Sequence, residues 1–174
     1  MATINRIRID DVAAITSCHS HEWVEEKFGR RKRVTLLEIL GNKDVSADDR
    51  IWVACKLGVI PDRELRLFAC RIAARSLRAV EKAGGTVPRS WWNAVRVARR
   101  FANGKASEEE LGEEADYAVN CAAYWAIYYA ANCADDWAAY YAADSAAYYA
   151  ADRADERRTQ LADLRRVVKK LGGK

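Results

Sequence analysis

Cys18-His19-Ser20-His21 places the only two histidines of the chain beside a cysteine, and thiolate and imidazole are donors that zinc prefers. A closed site needs four such donors. Cys55 or Cys70 would have to supply the rest from elsewhere, and no second paired motif does so. Cys18, His19 and His21 therefore read better as a polar loop than as a metal centre. A cysteine–histidine nucleophile pair fares no better, since neighbouring positions ensure no hydrogen bond and no third orienting residue can be picked out. The carboxylates Asp135, Asp136, Asp144, Asp152 and Asp155 are the other chemically capable group. Di-metal bundles take Glu-x-x-His from paired helices, and this chain has no such pair. The aspartates read as caps and a solvated face. No cofactor and no enzymatic activity are expected.

Those aspartates lie in an unusual background. From Tyr117 to Asp155 the chain is largely alanine overwritten with tyrosine, tryptophan and aspartate, and AAYYAAD at 138–144 recurs at 146–152. Alanine is the best helix former, and no glycine or proline occurs between Glu113 and Leu171, so the stretch is expected to be helical. At about 100° per residue, Trp137, Tyr141, Asp144 and Tyr148 share one face, with Tyr140 to one side and Tyr149 turned away. Aromatic residues thus encircle the helix. One face is expected to be core, with hydroxyls at its boundary. The remainder, Asp135, Asp136, Tyr140, Asp144, Tyr148, Tyr149 and Asp152, forms a candidate partner-binding surface, because tyrosine and tryptophan are favoured at binding hot spots.

The net charge of +4 hides two unlike halves. Residues 1–106 carry 21 Lys and Arg against 12 Asp and Glu, whereas residues 107–156 carry one arginine against twelve acids. Blocks of this kind suit an electrostatic partner, or halves that attract one another. Arg63, Arg66, Arg71, Arg75 and Arg78, with Arg96, Arg99 and Arg100, read first as a solvated face or as partners of the acidic helix, and second as a row that could track a nucleic-acid backbone. Arg30, Arg31 and Arg33 add a basic loop cluster. No helix-turn-helix, zinc-finger or RNA-recognition signature accompanies them.

Helical punctuation positions all these residues. Thr35-Leu-Leu-Glu38 has the capping-box pattern, opening a short helix that Gly41 closes. Ser46-Ala-Asp-Asp49 opens the next, which ends near Gly58. Pro61-Asp62 starts a longer one that runs to Gly84-Gly85, and Pro88-Arg-Ser90 a fourth that Gly104 closes. Ser107-Glu-Glu-Glu110 is a further capping box with three acids suited to the helix dipole. A single helix from there to Leu171 would run roughly 90 Å, so breaks are expected near 132–136 and 152–155. Leu161, Leu164, Val168 and Leu171 stripe the last segment. Thr3 to Ile9 alternates as a short strand does.

The chain is thus expected to be all-α, a compact bundle of six or seven helices with long alanine-rich C-terminal helices and room for one N-terminal strand. Residues 1–60 read as an N-terminal helical appendage and 61–174 as the main helical domain. The first residues lack the apolar core of a secretory signal and no apolar run approaches a membrane span, so a cytoplasmic protein with reduced cysteines is expected.

Residues 64–154, with L-R-L-F-A-C opening one helix, then W-x-x-A-x-x-x-A-R-x-F-A-x-G-x-x-S-x-x-E-L, then alanine-rich paired helices, resemble the helical domain of immunity-five-like toxin-immunity proteins and of phage proteins of the same layout. The resemblance implies a helical, non-enzymatic protein that neutralises a protein effector by binding it: a toxin, a nuclease or a host defence component. Toward a nuclease, the aspartates would act as a phosphate mimic in anti-defence. The alternative is a nucleic-acid-binding protein using Arg30, Arg31, Arg33, Arg71, Arg75 and Arg78, and self-association into a homo-oligomer is a further option. On the first reading, replacing Asp135, Asp136, Asp144 and Asp152 together by asparagine weakens partner binding and flattens its salt dependence while circular dichroism stays helical. Unchanged affinity would exclude phosphate mimicry.

Overall fold

In order along the chain, the elements are β1 (Ile7–Arg8), α1 (Ile9–Ile15), α2 (His21–Lys27), β2 (Arg33–Val34), α3 (Leu36–Gly41), α4 (Ala47–Lys56), α5 (Asp62–Lys82), α6 (Arg89–Ala102), α7 (Glu108–Asp116) and α8 (Arg153–Gly172). The computed structural model describes residues 4, 6–16, 19–29, 31–116 and 153–172. Among them the protein is helical apart from one two-stranded ribbon, as an all-α reading requires. The chain divides into two compact units, residues 1–60 with 157–174 and residues 61–156.

In the first unit the N-terminal strand is shorter than the alternation of isoleucines suggests. Ile7 pairs with Val34 and Arg8 with Arg33, antiparallel; Ile9 already begins α1, where Asp10 and Asp11 suit the positive end of the helix. Helices α1 and α2 follow, on either side of the stretch read as a polar loop. Each is only seven residues long, too short for periodicity to register. Ser20 accepts the Trp23 N–H at 3.2 Å and so caps α2, which turns part of the Cys-His-Ser-His loop into a helix start.

Thr35 forms a complete capping box. Its hydroxyl accepts the Glu38 N–H at 3.1 Å, and Glu38 accepts the Thr35 N–H at 2.7 Å. Ser46 repeats half of this on α4, accepting the Asp49 N–H at 3.0 Å. Gly58, after α4, has φ +63°, a conformation that costs a residue with Cβ. The C-terminal helix joins this unit from Arg157 onward, so the expected grouping of 61–174 is not how the chain divides. The reason lies in its buried face. Leu161, Leu164, Val167 and Val168 are buried, Arg157 pairs with Asp48 of α4, and Arg165 donates to the Leu40 carbonyl of α3 at 2.8 Å. Arg50 donates to that same carbonyl at 3.1 Å, so two guanidiniums close the C-terminal end of α3.

In the second unit, α5 buries Leu65, Phe68, Ala69, Cys70, Ile72, Ala73 and Leu77, and α6 buries Trp91, Ala94, Val95 and Ala98. Alanines at these positions let the two helices approach closely. Gly84 with φ +84° and Gly85 make the turn between them; a Cβ on Gly85 would lie 2.7 Å from Val80 Cγ1. Helix α7 starts on the expected box, Ser107 accepting the Glu110 N–H at 3.1 Å and Glu110 the Ser107 N–H at 2.9 Å.

Leu164 is fully buried on the stretch of α8 that completes the first unit. Its replacement by alanine should destabilise that unit by about 2–5 kcal/mol, read as a lower denaturation midpoint with an unchanged slope. A loss under about 0.5 kcal/mol would show that α8 is not needed for that core.

Candidate functional site

Helix α6 carries Arg89, Arg96, Arg99 and Arg100, and no carboxylate. With its apolar residues turned inward, the four arginines are all exposed. The spacing explains why: 89, 92, 96, 99 and 100 recur at helical intervals on the side opposite Trp91, Ala94, Val95 and Ala98. Half-buried Trp92 sits in this row, its indole N–H donating to Glu81 at 2.9 Å. The Arg78 guanidinium of α5 lies 5.7 Å from its ring centroid, within cation–π range.

The local partners of these arginines are few. Arg96 donates to Asn93 at 2.9 Å, and Arg100 pairs with Glu110 at 3.1 Å. The side chains of Arg89 and Arg99 have no hydrogen bond or ion pair among the described residues. Glu110 has two duties, capping α7 and receiving Arg100. The Ser107 N–H first, and then Arg100, hold its carboxyl below the usual range.

The arginines proposed from the sequence separate into several environments. Arg71 is half-buried on α5. Arg75 is committed to Glu156 through two N–H groups, at 2.8 and 3.4 Å, so it serves the fold before any ligand. Arg66 is buried with its guanidinium 4.3 Å from the Phe101 ring centroid, joining α5 to α6, and is no surface residue. Arg63 bonds Asn103 at 2.7 Å and also pairs with Glu64. In the first unit Arg31 pairs with Glu38 at 2.6 Å and donates to the Phe28 carbonyl, whereas Arg33 is exposed in β2. Asp135, Asp136, Tyr140, Asp144, Tyr148, Tyr149, Asp152, Arg30 and Cys18 lie outside the described residues.

The histidines are engaged with carboxylates. His19 stacks on Trp23 with centroids 3.8 Å apart and approaches Asp49 at 3.3 Å. His21 has Asp10 at 3.2 Å from Nε2 and Glu25 at 3.9 Å from Nδ1. Among the described residues, no group of three or more His, Cys, Asp or Glu is placed to hold a metal ion. No described helix is long and apolar enough to cross a membrane.

Cys70 marks where the arginines of α5 and α6 converge. Burial pushes its thiol up to about 11, while Arg99, Arg66 and Arg71 pull in the opposite direction. A thiol this buried and this weakly acidic is a core residue and no nucleophile.

Comparison with family models, with curated proteins and with solved structures finds no match to this chain.

Because the Cys70 thiol titrates later in the folded than in the unfolded chain, it adds stability that is complete below pH 9 and is lost as the pH rises toward about 11. Unfolding midpoints measured across that window should fall more steeply for the wild type than for Cys70→Ala. Identical slopes would show that the thiol ionises freely in the fold.

Proposed function

We propose that the protein binds nucleic acid through the arginine face of α6. The observation that supports this reading is a helix whose exposed side carries four arginines without one carboxylate. Surface arginines are normally interleaved with acids, and a helix lacking them repels itself in water at a modest cost. Guanidinium groups are suited to phosphate, since each presents a planar fork of donors. The turns of α6 set Arg89, Arg96 and Arg100 along one line at steps of roughly 6 to 11 Å, a scale suited to successive phosphates. Arg78 over Trp92 extends the row onto α5. The contacts are to the sugar–phosphate backbone, so the binding is expected to be strongly salt-dependent and weakly sequence-dependent.

A second reading rests on the opposite block of charge, residues 107–156 with twelve acids and one arginine. In it the protein inhibits a basic protein effector, in keeping with the resemblance to toxin-immunity proteins. The two readings differ in what they retain: a complex that survives nuclease digestion favours the effector, and one that dissolves favours nucleic acid.

Binding of a labelled duplex, followed by fluorescence anisotropy between about 50 and 200 mM salt, tests the first reading. The wild type should weaken steeply with salt. Replacing Arg89, Arg96, Arg99 and Arg100 by glutamine should flatten the log–log slope by about 0.9 for each arginine that meets a phosphate, with helicity retained. Binding of the variant equal to that of the wild type, or no salt-dependent binding at all, would overturn it.

A further inference from the structure

The two-stranded ribbon of the first unit sets like charges face to face. Arg8 and Arg33 are direct cross-strand partners, and both are exposed while their neighbours Ile7 and Val34 are buried. Residues alternate sides along a strand, so Arg6, also exposed, stands on the same side two residues before Arg8. Lys32 precedes Arg33 in the chain. Like charges placed directly opposite one another in a ribbon are unfavourable, and this pair closes one end of the only sheet among the described residues.

Two carboxylates, Asp10 and Asp11, act on Arg8. Asp10 receives Arg8 and has His21 at 3.2 Å; the hydrogen bond from Arg8 first, and then that from His21, lower its pKa. Glu38 receives Arg31 and the Thr35 N–H. Arg6, Lys32 and Arg33 have no side-chain partner among the described residues. Arg8 is thus matched locally, and the positive charge that the ribbon face leaves without a partner is that of Arg6 and Arg33.

We infer that the face formed by Arg6, Arg8 and Arg33 is a second phosphate-contacting surface, in the other compact unit from α6 and built on strand pairing. This rests on the nucleic-acid reading of the protein. The side opposite the arginines is closed by buried isoleucine and valine, so the ribbon stands as a rigid support for them. A phosphate beside Arg33 meets a guanidinium without a local partner, and Arg6, on the same side, meets its neighbour along the backbone. A lipid surface is disfavoured. Membrane-associated faces carry an apolar flank beside their basic residues, and Leu37 is the one large apolar side chain exposed among the described residues.

The test uses the full chain and the double variant Arg6→Gln/Arg33→Gln, with a short DNA duplex and an RNA duplex of equal length as probes. The salt slope of duplex binding should fall by about 0.9 for each of the two arginines, and the variant's thermal midpoint at low salt should equal or exceed that of the wild type. A merely structural role would lower that midpoint. Arg33→Lys keeps the charge and removes the fork, so it should keep the slope and weaken the affinity. Flattening for DNA alone, for RNA alone or for both identifies the source of the phosphate. If the slope of the double variant equals the wild type's while the α6 variant has lost binding, the ribbon inference is overturned and the α6 reading stands. If the wild type binds neither duplex, both are overturned. Retention on phosphatidylserine vesicles without duplex binding overturns them in favour of a lipid surface.

Discussion

A buried guanidinium holds the first unit together. Arg157 is 3% exposed, pairs with Asp48 in the first turn of α4, and donates to Gln160 at 3.0 Å within its own helix. Burying a charge is costly unless it is paired and hydrogen-bonded, so the position of α8 against α4 is tied to one geometry. Asp163, buried two turns further on, has Arg166 at 2.8 Å, and Arg165 reaches the end of α3. Apolar burial drives α8 into the unit; these polar contacts fix its register.

Much of the helical part of this arrangement is legible from the residues. Thr35, Ser46 and Ser107 cap where their spacing to a following acid predicts, because capping is decided within four residues. Pro61 and Pro88 precede helices, and Gly58, Gly84 and Gly104 end them with positive φ, for equally local reasons. The N-terminal region resists such reading. Two seven-residue helices carry too few turns for a periodic signal, and a ribbon of two residues per strand exists only because β2, distant in sequence, pairs with β1. The polar residues of α8 are a further case. Arg157, Gln160 and Asp163 look like a solvated face, and only the packing of the unit buries them.

Site residues show the same division. The arginine content of α5 and α6 is plain in the sequence, but its use is not. Arg66 and Arg75 enter the framework through Phe101 and Glu156, whereas Arg89, Arg96, Arg99 and Arg100 face outward. The absence of carboxylates from α6 was the readable signal that separates it from α5. The pairing of Arg8 with Arg33 has no such signal, since register is a property of two segments together.

The division of the chain into a first unit made of residues 1–60 and 157–174, with residues 61–156 between them, has a consequence for biosynthesis. The N-terminal elements emerge from the ribosome without the helix that completes their unit. At about 5–20 residues per second, the intervening segment alone takes roughly 5 to 20 seconds to make. During that interval the Leu40 carbonyl lacks Arg165 and Asp48 lacks Arg157. The second unit, continuous in sequence, has no such wait. Order of assembly is therefore expected to run against order of synthesis, with the middle of the chain folding before its beginning.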